Sequence, residues 1–357
     1  MRMKILGFFV AATFLTTGIA LQAQEILVCP EVECCAYESP TGLSVSVDYL
    51  YWKAQEEQLY PVFLEDPSND SGSDQGFLVV TNQKFEYTSG FRAAVGYTFP
   101  CEAYDVKLAW TRFHPRTTGN YEAPVNKGLI AIPFFDLTSS DVPHAASLVS
   151  HWHLNYDMLD LDLGRQYAIS PCFTLRPHIG LKGGWIDQTQ KMQANDIILG
   201  QGQPQPIAFA QGTVDRRNNF NGIGPSIGVD MRFALGSQFG LFGTVTGALL
   251  YGKFDLTTVV FISDTLDNNT NLPIGPKTLP MKTSGCFVSP TVQILLGGDW
   301  ATCFCEKYGI RLGVAYEVQY WWNQLKTLNS LPQLFFLNCP TGNLMMHGLT
   351  VQASFEF

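Results

Sequence analysis

Apolar and polar side chains alternate strictly along residues 349–357, at the end of the chain. The apolar positions are Leu349, Val351, Ala353, Phe355 and Phe357. A period of two places the two kinds of side chain on opposite faces of a β-strand. A strand that closes an outer-membrane barrel faces lipid on one side and water on the other, with an aromatic at the interface. We therefore predict that Phe355 and Phe357 form a barrel-closing terminal signal; the alternative is the last strand of a soluble β-sandwich.

The same alternation recurs along most of the chain and predicts nine further strands. In the clearest of them, Ile310, Leu312 and Val314 are interleaved with polar or small residues such as Arg311. The predicted strands cover residues 43–52, 84–99, 104–114, 153–169, 173–187, 220–235, 239–256, 286–300, 307–322 and 349–357.

Long and short connections between these strands alternate without a break. Long segments follow the first, third, fifth, seventh and ninth strands, and short turns follow the second, fourth, sixth and eighth. This order is typical of an antiparallel up-and-down transmembrane β-barrel with long extracellular loops and short periplasmic turns. We predict an all-β barrel of about 10 strands, or 12 if residues 77–81 and 256–262 form an extra pair. The alternation slips at residues 156–158, which predicts a bulge or an outward Arg165 at the interface.

The start of the chain has the pattern of a secretory signal peptide. A short basic stretch with Arg2 and Lys4 precedes a mostly apolar run, and Ala23 offers a cleavage position. We predict a signal peptide over residues 1–23, a periplasmic lead-in over 24–41 and the barrel over 42–357. Loss of the signal peptide would change the net charge from −9 to −11, since it removes two cations and no acid.

Composition supports a barrel in lipid and excludes several other classes. Only 15% of residues are charged and 13% are aromatic, against about 25% charged in soluble proteins. After the signal peptide no uncharged apolar run approaches the roughly 18 residues of a spanning helix. The acidic net charge argues against nucleic-acid binding, which requires a basic surface.

Charged residues on the polar faces of the strands predict a charged lumen. Such a lumen suits an aqueous pore with rings of both signs, but a barrel of ten strands is narrow and ion pairs could fill it. The predicted pore-lining residues are Arg92, Lys107, Arg176, His178, Lys182, Asp230, Arg232, Arg311 and Glu317.

Aromatic residues near the strand ends predict two girdles at the membrane interfaces. Ordinary packing inside the barrel is the alternative. The residues concerned are Tyr49, Tyr51, Trp52, Trp110, Phe113, Trp152, Tyr167, Trp185, Trp300, Tyr320, Trp321 and Trp322.

No motif of a known catalytic chemistry is present in the sequence. Asp141, His144, His151 and His153 fall in or beside the second long segment, where they would suit a hydrolase, but their spacing is not that of a known site. Nucleophile-elbow, phosphate-loop and zinc-protease patterns are lacking. We therefore expect no enzyme activity, no cofactor and no metal.

Nine cysteines in an exported chain indicate an oxidising compartment, and the odd number leaves at least one thiol unpaired within the chain or paired with another molecule. Most of them fall on short turns or near the N-terminus, which the barrel prediction places on the periplasmic side. Disulfide cross-linking there and free thiols are the two interpretations. The disulfide candidates are Cys29, Cys34, Cys35, Cys101, Cys172, Cys303 and Cys305.

Three stretches resemble the pore-forming major outer membrane protein family of Legionella and Chlamydia-related bacteria: residues 47–52, 159–165 and 175–182. The likeness extends over nearly the whole mature chain, and its last two stretches are fairly specific. It implies a porin-like outer-membrane barrel that passes small hydrophilic solutes, including ions, in an envelope strengthened by cysteine cross-links. The alternatives are a closed structural or adhesive surface barrel, or a hydrolase with its site at the loop mouth.

The resemblance and the barrel pattern together predict the partners of the chain. We expect outer-membrane lipid, small solutes and the barrel-assembly machinery, the last through the C-terminal strand. Further copies of the chain or disulfide-linked envelope proteins are additional candidates. No nucleic acid is expected, and the predicted location is the bacterial outer membrane.

Overall fold

The computed structural model describes residues 42–57, 59, 62–66, 77–81, 83–99, 104–122, 129–130, 144–199, 207–236, 238–263, 265–266, 273–274, 276–304, 308–326 and 341–357. The predicted signal peptide and lead-in lie outside these residues. In the described part of the chain, no helix is long and apolar enough to cross a membrane.

Ten long strands account for most of the described chain. They are β1 Gly42–Glu56, β2 Tyr87–Thr98, β3 Tyr104–Phe113, β4 His144–Arg165, β5 Phe173–Leu199, β6 Ile207–Ala234, β7 Phe239–Ile262, β8 Lys277–Phe304, β9 Tyr308–Lys326 and β10 Thr341–Glu356.

The ten strands form one closed antiparallel ring. Each of β1 to β9 pairs with the strand that follows it, and β10 pairs back with β1 from Ser44↔Glu356 to Glu56↔Leu344. A closed ring satisfies every ladder hydrogen bond and leaves no strand edge, as a membrane-spanning sheet requires. The all-β barrel of ten strands predicted from the alternation is therefore confirmed, including the closing role of the C-terminal strand.

Among the described residues, seven short strands lie outside the ring. Val62–Asp66 pairs with Phe77–Thr81, and with Leu129–Ile130. Arg116–Glu122 continues β3 along β4, and the others are Tyr167–Ser170, Thr265–Leu266 and Pro273–Ile274. Residues 256–262 belong to β7, so the predicted twelve-strand alternative does not form.

Several segments predicted as long loops are strand. β5 and β6 remain paired as far as Leu199↔Ile207, and β7 and β8 as far as Ile262↔Lys277. The polar composition of these segments favoured loops, but a paired hairpin in water accepts polar side chains on its exposed face. We call the end where these extensions lie the hairpin end, and the opposite end, with the short connections, the short-turn end.

The outer wall between the two ends is an apolar belt. Val47 is 54% exposed, Ile179 60% and Ile227 67%, which would be unfavourable in water over so large a continuous surface. On a barrel wall these side chains face hydrocarbon. Other members of the belt are Leu43, Val45, Phe91, Val95, Leu108, Leu161, Leu163, Leu181, Leu241, Leu249, Leu296, Leu312, Val314, Leu349 and Val351.

Candidate functional site in the barrel interior

A buried ion network lies at mid-height in the barrel. Arg92 on β2 donates hydrogen bonds to Glu317 on β9, at 2.7 and 3.2 Å, and to Asp48 on β1, at 3.3 Å. Gln293 and Thr350 donate to the same Glu317 carboxylate at 2.8 and 3.1 Å. The network joins strands that are not neighbours in the ring, so it crosses the interior and fixes both charges.

The other predicted pore-lining residues near mid-height are also held in contacts. Lys182 Nζ lies 2.8 Å from Asp160 Oδ1. Towards the short-turn end, Arg176 bonds Asp105 and, at 2.7 Å, Asp230. His178 Nδ1 lies 3.7 Å from the same Asp230 carboxylate.

A third cluster lies at the short-turn end. Arg232 and Arg311 both face Asp299, at 2.9 and 3.4 Å, and Arg311 also approaches Glu356 at 3.5 Å. Asp299 is the most buried residue of this cluster, with a side chain only 1% exposed. Alternating positive and negative groups thus line the wall, which satisfies charges that would be costly inside a narrow barrel if unpaired.

A cavity of about 280 Å³ occupies the interior at the short-turn end. Lys107, Arg176, Arg232 and Arg311 line it together with carboxylates, among them Asp105. All nine predicted pore-lining residues therefore lie inside the barrel, in the networks or on this cavity. Their role in conduction stays a prediction.

Above the mid-height network, towards the hairpin end, apolar side chains fill the interior. We call this set the interior apolar layer; eight of the ten strands contribute to it. Trp321 is 0% exposed, and Trp52 and Trp152 are each 1% exposed. Its main members are Leu50, Trp52, Phe113, Trp152, Leu154, Tyr156, Met158, Ile186, Phe220, Leu250, Phe254, Leu256, Trp321, Leu325, Leu344 and Met346.

Aromatic contacts and hydrogen bonds hold this layer together. Trp52 packs edge-on against Phe113 with ring centroids 5.5 Å apart, and Tyr156 against Trp321 at 5.9 Å. The Trp52 indole N–H donates to Thr350 at 3.0 Å. Because Thr350 also binds Glu317, the apolar layer and the ion network beneath it form one continuous packed unit.

The interior apolar layer corrects the girdle prediction. Trp52, Phe113, Trp152 and Trp321 face the interior, whereas Tyr49, Tyr51, Trp110, Tyr167, Trp185 and Trp322 are exposed on the outer wall. The slip at residues 156–158 has the same cause. The register of β4 against β3 and β5 is continuous through this stretch, so there is no bulge, and Tyr156 and Met158 are simply inward apolar residues.

The interior apolar layer was not predicted from the sequence. The prediction assumed that inward positions are polar throughout, as in a water-filled barrel. The signal that could have revealed it is the loss of alternation at strand ends, where residues of both faces become apolar, as around Trp52, Tyr156 and Trp321.

Of the four residues considered for a hydrolase, the structure describes the side chains of His151 and His153. Trp152 faces inward, so its neighbours His151 and His153 project from the opposite, outer face of β4. His151 Nδ1 lies 2.9 Å from Thr118 Oγ1 on the adjoining strand. Asp141 lies outside the described residues, and His144 is described only as the first residue of β4.

Three cysteines are described. Cys172 immediately precedes β5 and Cys303 is the next-to-last residue of β8, both at the short-turn end. Cys286 is exposed and is the free thiol among the described residues. Cys29, Cys34, Cys35, Cys101 and Cys305 lie outside the described residues.

The end of the chain is held at the short-turn end. The backbone N–H of Phe357 donates to the carbonyl of Leu43 at 2.9 Å, and the rings of Phe355 and Phe357 lie edge-on at 4.6 Å. Phe357 is 47% exposed. The role of Phe355 and Phe357 as a terminal signal at the membrane interface stays a prediction.

Several solved structures are similar to this chain at low identity and low TM-score. The outer membrane protease OmpT from Escherichia coli is 9% identical, with 89% of this chain and 97% of that chain covered and a TM-score of 0.39. A Pseudomonas aeruginosa FadL homologue is 9% identical (90% and 93% covered, TM-score 0.28). The toluene transporter TodX from Pseudomonas putida is 5% identical (90% and 92% covered, TM-score 0.28).

No curated protein matches the chain at a significant level. A family match, by contrast, covers residues 38–357, which include every strand of the ring. The family is described as Legionella pneumophila major outer membrane protein precursor. The closed ring, the apolar outer belt and this match agree on a bacterial outer-membrane location, and the chain belongs to the Legionella major outer membrane protein family.

Proposed function

We propose that this outer-membrane barrel is a structural envelope protein whose lumen is closed to free diffusion at the hairpin end. The observation that carries the proposal is the interior apolar layer. In a barrel of ten strands there is little space beyond that filled by side chains. Here that space holds Trp52, Trp152, Trp321 and their neighbours, almost completely inaccessible to water.

Opening this layer spontaneously would be unfavourable. Each large apolar side chain gains about 1.5–3 kcal/mol from burial, and several would have to move together. The link from Trp52 through Thr350 to Glu317 ties any such movement to the buried ion network. The paired strand extensions beyond the layer are then free to serve as a surface displayed outside the cell.

Conductance in planar lipid bilayers tests the proposal. We expect the purified, folded protein to give no stable conductance steps when a voltage is applied. A Trp52→Ala/Trp152→Ala/Trp321→Ala variant removes three indoles from the layer and is expected to give them. A matched variant with the outward changes Trp110→Ala/Trp185→Ala/Trp322→Ala should remain silent. Regular, ohmic steps from the wild type would overturn the closed barrel.

The second candidate is a porin-like pore for small hydrophilic solutes and ions. The 280 Å³ cavity and its lining charges of both signs favour it, because such charges suit an aqueous path. If this candidate is right, the wild-type protein should give conductance steps. Arg232→Gln or Arg311→Gln should then shift the reversal potential measured in a salt gradient in the direction of greater cation selectivity.

We also infer disulfide cross-links on the periplasmic side. Cys172 and Cys303 lie at the short-turn end, which faces the periplasm in barrels of this type, and the free thiol Cys286 lies away from it on the outer wall. Non-reducing electrophoresis of whole envelopes should show higher-mass species that thiol reduction removes. Monomer alone, with every thiol freely alkylated, would argue against the inference.

A further inference from the structure

A single charged side chain is described on the outer wall at the short-turn end. Arg165 is the last residue of β4 and is exposed. Leu163 and Leu161, earlier on the same strand, belong to the apolar belt and are 45% and 43% exposed. Side chains two residues apart share a face of a strand, so Arg165 projects outwards beside the belt. Of the two alternatives predicted for β4, a bulge or an outward arginine, the outward arginine is therefore observed.

The carboxylates described at the short-turn end do not neutralise Arg165. They lie inside the barrel and face other arginines there; these carboxylates are Asp105, Asp230, Asp299 and Glu356. The contacts that the described residues make with the Arg165 guanidinium come from tyrosines. Arg165 thus carries a positive charge that no described acid offsets.

The outer wall at the hairpin end is different. Its outward cations have acids beside them, with Arg217 3.0 Å from Asp215 and Lys253 2.8 Å from Asp255. Paired charges of this kind offer little attraction to an anion from outside. The two ends of the barrel therefore present different outer surfaces, and the free cation lies at the end that faces the periplasm in barrels of this type.

Two tyrosines hold the Arg165 guanidinium at the surface. Its central carbon lies 4.9 Å from the centroid of the Tyr104 ring and 5.3 Å from that of the Tyr167 ring, both within the range of a cation–π contact. Arg165 Nη1 donates to Tyr104 Oη at 3.3 Å. The Tyr104 hydroxyl accepts this bond and keeps its own proton for another acceptor. The remaining guanidinium N–H groups have no acceptor in the described part of the chain, so a positioned fork of donors is left for a ligand.

An apolar surface begins directly beside this guanidinium. The register places Val106, Leu163 and Ile179 in one outward row across β3, β4 and β5. The next row towards mid-membrane contains Leu108, Leu161 and Leu181. Cross-strand neighbours on one face lie close enough to form a continuous surface. A hydrocarbon chain can therefore follow both rows while its polar end stays level with Arg165.

We propose that Arg165, Tyr104 and Tyr167 bind the phosphate of a phospholipid in the leaflet on the periplasmic side. Two N–H groups of Arg165 donate to two phosphate oxygens, as guanidinium does in bidentate pairs. The Tyr104 hydroxyl donates to the same phosphate, and the Tyr167 ring keeps the guanidinium in place. The acyl chains lie along the apolar rows, which supply contact area that a free phosphate would not use.

The charge of the site predicts the headgroup that it prefers. Phosphatidylglycerol carries the negative phosphate alone, whereas phosphatidylcholine adds a positive trimethylammonium group. Because no described carboxylate on the outer wall faces Arg165, that second cation would meet the guanidinium without an acid to receive it. The site should therefore favour the anionic lipid. This inference goes beyond the closed barrel and does not depend on it, since the lipid lies outside the lumen.

Lipid titration followed by native mass spectrometry tests the proposal. The refolded full-length protein in detergent is titrated with dioleoyl phosphatidylglycerol or dioleoyl phosphatidylcholine, and the bound lipids are counted. We expect one equivalent of phosphatidylglycerol to bind more tightly than all others, and phosphatidylcholine to show no such equivalent. Inorganic phosphate at the same concentration as the lipid should not displace it.

Variants assign the tight equivalent to Arg165. Arg165→Met should weaken it about tenfold, as expected for the loss of hydrogen bonds to a charged group. Arg165→Lys keeps the charge but loses the fork and should lie between Arg165→Met and the wild type. Tyr104→Phe keeps the ring, loses the hydroxyl and should also weaken binding. Arg112→Met is the matched control, because Arg112 is exposed on the same strand pair at the opposite end, where the register places it beside Asp157. It should bind as the wild type.

Each variant is first shown to be folded by its heat-modifiable mobility on gels. Wild-type affinity in folded Arg165→Met, or an equal loss in Arg112→Met, would overturn the proposal. Equal affinity for the two lipids would also overturn it, and so would displacement of the lipid by inorganic phosphate, because the apolar rows would then contribute nothing. None of these outcomes alters the expected conductance, so this proposal and the closed barrel fail separately.

Discussion

Replacement of Trp321 tests whether the interior of the barrel is a packed core. Its indole is 0% exposed, and its ring packs edge-on against Tyr156 at 5.9 Å. Trp321→Ala removes this burial and leaves a cavity bordered by side chains from other strands, which cannot all move in to fill it. We expect the free energy of unfolding to fall by about 3–5 kcal/mol, as for large aromatic residues in protein cores.

The neighbouring residue provides the control. Trp322 lies on the opposite face of β9, is 39% exposed, and its ring packs against that of Tyr320 with centroids 4.9 Å apart. Trp322→Ala should therefore cost clearly less. The loss of unfolding free energy in Trp321→Phe should lie between those in Trp321→Ala and Trp322→Ala, because the Trp321 indole N–H has no hydrogen-bond partner to lose.

Urea unfolding of the protein in lipid vesicles measures these differences, with folding followed by fluorescence and by heat-modifiable mobility. We expect stability to decrease in the order wild type, Trp321→Phe, Trp321→Ala, with Trp322→Ala nearer the wild type than Trp321→Ala. If Trp321→Ala proves as stable as Trp322→Ala, the interior is loosely packed or hydrated, and the argument for a closed lumen is refuted.

Two further predictions concern the buried charges. Arg92→Met should destabilise the barrel by about 3–5 kcal/mol, because it leaves Glu317 buried without its cation; an Arg92→Met/Glu317→Gln double variant should recover part of the loss in urea unfolding, and no recovery would contradict the pairing. Glu56 has a pKa raised by burial, so the folded state binds its proton more tightly than the unfolded state. Stability from Glu56 is therefore present below its unfolded pKa of about 4.3 and is lost as pH rises through the higher folded pKa. Glu56→Gln should remove this part of the pH dependence of the urea midpoint, and an unchanged pH profile would show that the carboxyl is hydrated.

The pattern along the chain predicted the membrane-spanning part of the barrel well. Every strand that has lipid on one face and the barrel interior on the other alternates with a period of two. Val47, Ile227 and Leu312 could therefore be assigned to the outer wall from sequence alone. The alternation of long and short connections fixed the strand count, since neighbouring antiparallel strands need only a short turn on one side.

Beyond the membrane the sequence was less informative. The segments around Asn218 and Lys282 have the polar composition of loops, and only the pairing of β5 with β6 and of β7 with β8 makes them strands. Backbone pairing depends on the partner strand rather than on the local residues, so composition misassigns such hairpins.

Sequence by itself determined that this is an outer-membrane barrel of about ten strands with inward charges, because lipid on one side enforces a local, readable rule. The tertiary structure alone decided how those inward positions combine. Arg92 meets Glu317 although 225 positions separate them in the chain, and Trp52, Trp152 and Trp321 meet in one layer. The physical reason is that inward residues contact one another only after the ring closes, and no local pattern records which strands then face each other.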